Sequence, residues 1–283
     1  MDGDGDLDIA VGNDRTRNLV FLNDGTGRFV AGATFGTPSS TRSLTLADLD
    51  GDGHTDILVV NRGRQNFIFP GSGSGTFGDG VPFGSEDDST IDGAATDLDG
   101  DGDLDLANRD GGANTIHWNE AVSFERVTGY KTGSDETRGV AVGDVDGDGL
   151  ADIVTANIGE ANAVYFGDGA GGFGRSVRFG HGDDRSYAVR LAGVDLDGDL
   201  DIIVANVGAQ NAVYFNRRGW GEGGAGTAGS SDSEGFSKFR FGCEDCTTHG
   251  VAVGDLNGDG LPKIVTANSG APNGVFGNVG VGR

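Results

Sequence analysis

Short apolar runs recur along this chain at a steady spacing, each set off by acidic residues and glycine. In one stretch an alternating segment with Leu44 and Leu46 precedes an acidic loop, and the continuous apolar run 57–60 follows it. The same order returns with Val140 and Val142 before Ile153 and Val154, and with Val251 and Val253. Alternation with period two marks a half-buried strand; a short continuous run bounded by turn residues marks a fully buried one. An Asn-flanked turn then leads to a third strand, as at 163–166 and 212–215. A Gly-rich turn leads to a fourth, opened by Phe29, Phe77, Phe124, Phe173 or Phe236. Four of these close on Phe-Gly, at Phe35, Phe83, Phe179 and Phe241. No segment keeps a helical period.

The acidic loop gives the repeat its register. It reads Asp-x-Asp-Gly-Asp-Gly-x-x-Asp, with Asp48, Asp50, Asp52 and Asp56 in the first, third, fifth and ninth places. Asp97, Asp99, Asp101 and Asp105 form a second full copy, and Asp144, Asp146, Asp148 and Asp152 a third. Asp2, Asp4 and Asp8 open the chain as a copy whose first place would precede Met1. Gly193 takes the first place of another, ahead of Asp195, Asp197 and Asp201, with no gap and with Val189 and Leu191 in phase with Val140 and Val142. The last copy holds Asp255, Asn257 and Asp259, with Lys263 in the ninth place. First places at 48, 97, 144, 193 and 255 give a period of 47 to 49 residues until a last step of 62. The Gly/Ser-rich run 217–235, which contains Trp220, accounts for the long step as a loop insertion.

Four short strands in each unit of just under 50 residues predict an all-β fold, a β-propeller of about six four-stranded blades in one domain over 1–283. One blade cannot bury both faces of its sheet, and packing against its neighbours does so. The first unit lacks its first strand and the last its fourth, so the chain reads as a fragment or as a ring closed by its two ends.

Composition narrows the function. With 44 acidic against 20 basic residues the formal charge is -24, which disfavours nucleic acid or an anionic membrane as partner. No run approaches the roughly 18 apolar residues of a membrane-spanning helix. No signal peptide is visible. Glycine at 55 residues against 5 prolines fits many tight turns.

Carboxylates this close repel one another unless a cation sits among them. Calcium takes six to eight hard oxygen ligands at about 2.3–2.6 Å, and glycine in the sixth place permits the sharp turn that wraps it. The loop is not an EF-hand: the twelfth places hold Val59, Asn108 and Thr155, not Glu, and a strand follows. Magnesium demands a tighter octahedron, and zinc prefers His and Cys. Solvated Asp/Gly turns are the alternative for any single copy, and recurrence in phase favours metal. About four to six calcium ions are expected. Five would move the charge from -24 to -14.

The loop, followed by Ile-Val-x-Ala-Asn, Asn-x-Val and Gly-x-Phe, resembles the FG-GAP/VCBS repeats that also build the propeller of integrin alpha subunits. The resemblance implies that the loop joins a blade's first two strands and holds calcium. It also implies an extracellular or cell-surface protein that binds protein or carbohydrate. Seven blades are usual in the integrin-like form, so six units stand for part of such a ring. The competing expectation is the propeller portion of a carbohydrate-active enzyme such as a polysaccharide lyase, although no catalytic constellation is visible. A third is a scaffold for a neighbouring domain.

Six residues before each first place stand Arg42, Ile91, Arg138, Tyr187 and His249. At the start of an innermost strand these would ring the channel mouth, opposite the calcium loops, and two arginines with a histidine suit an acidic ligand. Pairing with local carboxylates such as Asp135 is the alternative. Cys243 and Cys246 read as a local disulfide between blades, in keeping with secretion. His54 is expected to face solvent, and His117 to pack among aromatics. The pairs Asn157/Asn162 and Asn206/Asn211 are expected to shape turns. Gly73, Gly75 and Gly78 match a dinucleotide fingerprint, but no helix follows.

Overall fold

The computed structural model describes residues 1–86, 90–110, 113–120, 122–130, 136–216 and 236–278. The insertion 217–235 and Asp135 lie outside the described residues. The chain divides into two compact units, residues 1–97 with 101–132 and residues 98–100 with 133–283. Every element among the described residues is a β-strand.

The first unit holds two sheets. One is six-stranded, in the order β1 (Ile9–Val11), β2 (Asp14–Asn23), β3 (Phe29–Ala47), β4 (Asp56–Asn61), β5 (Asn66–Phe69) and β6 (Val81–Phe83). The other is an antiparallel meander of β7 (Asp92–Thr96), β8 (Asp105–Asp110), β9 (Ala113–His117) and β10 (Val127–Gly129). The second unit holds three. Its first two contain β11 (Glu136–Gly143), β12 (Asp152–Ile158), β13 (Asn162–Phe166) and β14 (Arg175–Phe179), then β15 (Ser186–Ala192), β16 (Asp201–Asn206), β17 (Asn211–Asn216) and β18 (Phe236–Phe241). The third has β19 (Thr247–Gly254), β20 (Lys263–Ser269) and β21 (Gly274–Phe276).

The fold is an all-β propeller with five blade sheets, which corrects the expectation of about six, or part of seven. The reason is β3. It pairs with β2 through Phe29–Ser40 and with β4 through Thr41–Ala47, so one strand joins the strands of the first two repeats into a single six-stranded sheet. The connection after Phe35 is rich in Ser and Thr and stays extended. The equivalent connection after Phe179 turns, with Asp184 N–H donating to His181 C=O at 3.1 Å.

The cores lie between neighbouring sheets. Leu58, Ile68 and Phe83 pack with Leu106 and Phe124 in the first unit; Val154, Val164 and Phe179 pack with Ile202, Val204 and Tyr214 in the second. The Phe that closes each Phe-Gly pair is buried at all four positions. The first strands of β11 and β15 approach closely at Gly139, where a Cβ would meet Ala188 Cα at 3.0 Å.

The gap-free register holds: Val142 pairs with Ile153 and Leu191 with Ile202, so Gly193 occupies the place of Asp144. Among the described residues, no helix is long and apolar enough to cross a membrane.

Candidate metal loops and a bulged strand start

The acidic loops at 97–105, 144–152, 193–201 and 255–263 each join the first two strands of a sheet, as loop 144–152 joins β11 to β12; loop 48–56 joins β3 to β4, and loop 2–8 precedes β1. The first-place Asp accepts the sixth-place glycine N–H: Gly53 to Asp48 at 2.9 Å, Gly149 to Asp144 at 2.9 Å and Gly102 to Asp97 at 3.1 Å. Third- and fifth-place carboxylates accept an N–H two residues on, as Asp50 does from Asp52 and Asp52 from His54. One oxygen of each is thereby fixed, which orients the other. Glycines at the fourth and sixth places take positive φ, 73° and 86° at Gly51 and Gly53.

The ninth-place Asp anchors the loop to the core. Asp56, Asp152 and Asp201 are fully buried and accept two equivalent backbone bonds, to which Asp201 adds a third from Asp195 N–H at 3.4 Å. One comes from the second place (Leu49, Val145 or Val194) at 2.7–2.8 Å. The other comes from the end of the third strand (Gly71, Gly167 or Asn216) at 2.8–3.0 Å. Burial pushes Asp152 up to about 7 and Asp201 up to about 6. Burial, and then neighbouring carboxylates, also raise Asp50 and Asp146.

Three loops bring carboxylate oxygens within 4.8 Å of one another: Asp48, Asp50 and Asp56; Asp97, Asp99 and Asp101; Asp144, Asp146 and Asp152. Asp52, Asp105 and Asp148 stand outside these groups. Oδ1 of Asp48 is buried without a hydrogen-bond partner. An all-oxygen donor set, mutual repulsion and this unpaired oxygen together fit a hard divalent cation.

The other loops differ from their sisters. Asp195, Asp197 and Asp201 form no such group. Asp2, Asp4 and Asp8 do not either, and Asp8 pairs with the Met1 ammonium at 2.6 Å. In loop 255–263 the expected ligands Asp255 and Asp259 face the Lys263 ammonium instead, and Asn257 donates to Asp259 at 3.0 Å. The side chain that replaces the ninth carboxylate brings its own positive charge into the loop.

Some partners escaped the sequence reading because they are distant along the chain. Asn119 donates to Leu49 C=O at 3.0 Å and Asn216 to Val145 C=O at 2.6 Å, each tying a sheet to the second place of its neighbour's loop. An Asn recurring just past the third strand was the available signal. Arg175 lies 3.2 Å from Oδ2 of Asp146 and covers the Phe166 ring, at 3.7 Å from its centroid.

The strand-start positions share a backbone feature. Arg42, Arg138, Tyr187 and His249 are each the residue skipped where the ladder between first and second strands slips. A β-bulge re-aims the extra side chain, and bulges favour functional rims. Ile91 precedes β7, whose pairing shows no slip. In the second unit the Arg138 guanidinium lies 5.7 Å from the Tyr187 ring centre, and that ring lies 5.4 Å from His249. Arg138 and Asp144 sit at opposite ends of β11, roughly 20 Å apart along an extended strand. Arg42 belongs to the first unit.

Cys243 and Cys246 are disulfide-bonded in the connection between β18 and β19. His54 is exposed, and His117 is buried edge-on to Phe83 at 5.5 Å.

Blades of this kind, with a recurring acidic loop between their first two strands, define a repeat propeller. The FG-GAP-like repeat pattern matches residues 1–59, 48–108, 97–155 and 144–204, and the chain belongs to that family. No curated protein sequence matches it significantly. Among solved structures it is similar to the BP39L lectin from Burkholderia pseudomallei, at 14% identity and a TM-score of 0.57, covering 95% of this chain and 82% of that one. It is also similar to BBS1N in complex with ARL6DN, at 12% identity and a TM-score of 0.51, covering 86% and 80%. At such identities the likeness concerns the fold.

Proposed function

We propose that the chain is a calcium-stabilised binding module, extracellular or at the cell surface, that presents its blades to a protein or carbohydrate ligand. The convergence of three carboxylates in each of three loops carries this reading. The loops at 48–56, 97–105 and 144–152 are the principal sites, and the Asp195/Asp197/Asp201 and Asp2/Asp4/Asp8 loops are lesser ones. Loop 255–263 supplies its own cation, so five ions form the upper bound. Calcium in a loop would fix the second-place residue, whose carbonyl meets the neighbouring sheet, and so would tighten the packing between blades. This reading assigns the chain no catalytic step.

The binding role draws support from a lectin and a protein-bound propeller among similar folds. The Cys243–Cys246 disulfide supports an oxidising compartment. The second reading, the propeller of a polysaccharide lyase, draws on the Arg138–Tyr187–His249 row, which holds the residue types a base needs.

The test is thermal unfolding with calcium, magnesium or chelator. Three sites at a hundredfold excess over Kd would add about 8 kcal/mol. A large, calcium-selective rise in Tm is expected. An unchanged Tm at millimolar calcium would remove the reading. Release of unsaturated product from an acidic polysaccharide would instead establish the lyase.

A further inference from the structure

We infer that the first unit carries a binding site for a short acidic oligosaccharide, built on Arg42, Arg62 and Arg64; this deepens the binding-module reading and rests on it. The site begins at the β3 bulge, which turns Arg42 out of the ladder. Beside it the turn from β4 to β5 carries Arg62 and Arg64. Asn61 N–H donates to Asn66 Oδ1 at 2.8 Å across that turn, and Arg62 N–H donates to Ser40 C=O at 2.9 Å, which holds the turn against β3. Arg15 on β2 completes the group from a left-handed backbone, φ 64°, a strained conformation of the sort that persists at ligand sites.

All four arginines line one cavity of about 440 Å³ together with Ser39 and Ser40. They are a fifth of the 20 basic residues in a chain of charge -24. Asp14 is the lone acid in this lining, 3.6 Å from Arg15. Arg42, Arg62 and Arg64 are exposed and form no ion pair among the described residues. Like charges gathered around one cavity disfavour one another until an anion joins them. A guanidinium presents a planar fork that meets the two oxygens of a carboxylate or sulfate.

The shape adjacent to this cavity selects the ligand. A second cavity of about 520 Å³ shares Ser39 and Arg64, and adds Thr37, Gln65, Phe67, Pro82 and one acid, Glu86, so the charged groups of the ligand belong over the arginines of the first cavity and a neutral part of the sugar belongs here. It offers hydroxyl and amide groups beside an aromatic ring, which suits a pyranose with one polar edge and one C–H face. A ligand spanning both cavities therefore joins sugar rings to acidic groups. Duplex nucleic acid, with a charge every ~1.7 Å, would meet the acidic remainder of the chain. A short saccharide keeps its few charges over the arginines.

The test is calorimetric titration of the full chain, in calcium, with a galacturonate hexasaccharide, a heparin hexasaccharide, maltohexaose and polyglutamate. Binding of an acidic hexasaccharide that weakens with salt is expected, with no binding of maltohexaose. Preference between the first two distinguishes carboxylate from sulfate. Each of Arg42→Gln, Arg62→Gln and Arg64→Gln should weaken binding about tenfold, and the triple variant should abolish it. Unchanged affinity in the triple variant would overturn the site, as would failure of both acidic saccharides to bind. Equal affinity for polyglutamate would replace the saccharide with an acidic protein. The calcium-dependent rise in Tm, measured on the same samples, separates failure of this site from failure of the binding-module reading.

Discussion

The ammonium nitrogen of Lys263 lies 3.4 Å from Oδ1 of Asp255, and donates also to Asp259 and to the Leu261 carbonyl at 2.7 Å. Three acceptors thus meet the three N–H groups of one cation that is 7% exposed. The lysine bonds draw Asp259 down to about 2. Loop 255–263 keeps the acidic pattern of its sisters but is neutralised from within. Lys263→Asp should reverse this. The variant should melt lower than the parent in chelator and bind one more calcium ion, counted by titration. An unchanged count would show that the lysine is not what keeps metal from this loop.

Buried Asp152 and Asp201 make the metal-free protein sensitive to pH. Their folded values, about 7 and about 6, lie above the ordinary 3.8. Between roughly pH 4 and 7 the folded chain therefore holds protons that the unfolded chain has released, and stability falls as pH rises through that window. In chelator, Tm should decline from pH 5 to pH 8. Calcium binding needs the ionised carboxylates, so the calcium-induced rise should be larger at pH 8 than at pH 5. A chelator profile that climbs over this range would contradict the burial argument.

Leu196 occupies the fourth loop place at φ 63°, where Gly51 and Gly147 stand in sister loops. Its side chain is 49% exposed, so little packing offsets the left-handed strain. Leu196→Gly should stabilise the chain by about 0.5–1 kcal/mol, after the entropy of glycine is deducted. That corresponds to a Tm rise of about 1–2 °C. Leu196→Val, with its branched Cβ, should lower Tm.

The loops and strand order were legible because their signals are local. Asp and Gly spacing sets the turn within nine residues, and apolar runs flank it. The blade number was not, because nothing in the Ser/Thr-rich stretch after Phe35 shows that one strand will join two repeats in a single sheet. The role of Lys263 was half legible: the sequence places a positive charge beside the loop, and the structure puts it inside. Arg62 and Arg64 carry no repeat signal of their own, and only the fold brings Arg42 and Ser40 on β3 beside them. Repeat position alone marks Arg138, Tyr187 and His249 in the sequence, and the bulge is the backbone reason they stand out.

The paired Asn residues shape turns, as expected, but they also bridge neighbouring sheets. Asn157 N–H donates to Asn162 Oδ1 at 2.8 Å, and Asn162 Nδ2 reaches Ser186 Oγ at 3.1 Å on the next sheet. Ser186 in turn donates to Asn206 Oδ1 at 3.0 Å. The same relay runs from Asn211 through Thr248 to Asn268. All three members of the first relay are buried, so Ser186→Ala would strand a donor on Asn162 and an acceptor on Asn206. The loss should be about 1–3 kcal/mol, read by chemical denaturation, and should persist in saturating calcium. Ser186→Thr keeps the hydroxyl that Thr248 supplies in the sister relay and should retain most of the stability. If both variants unfold alike, the hydroxyl bridge is not what joins these sheets.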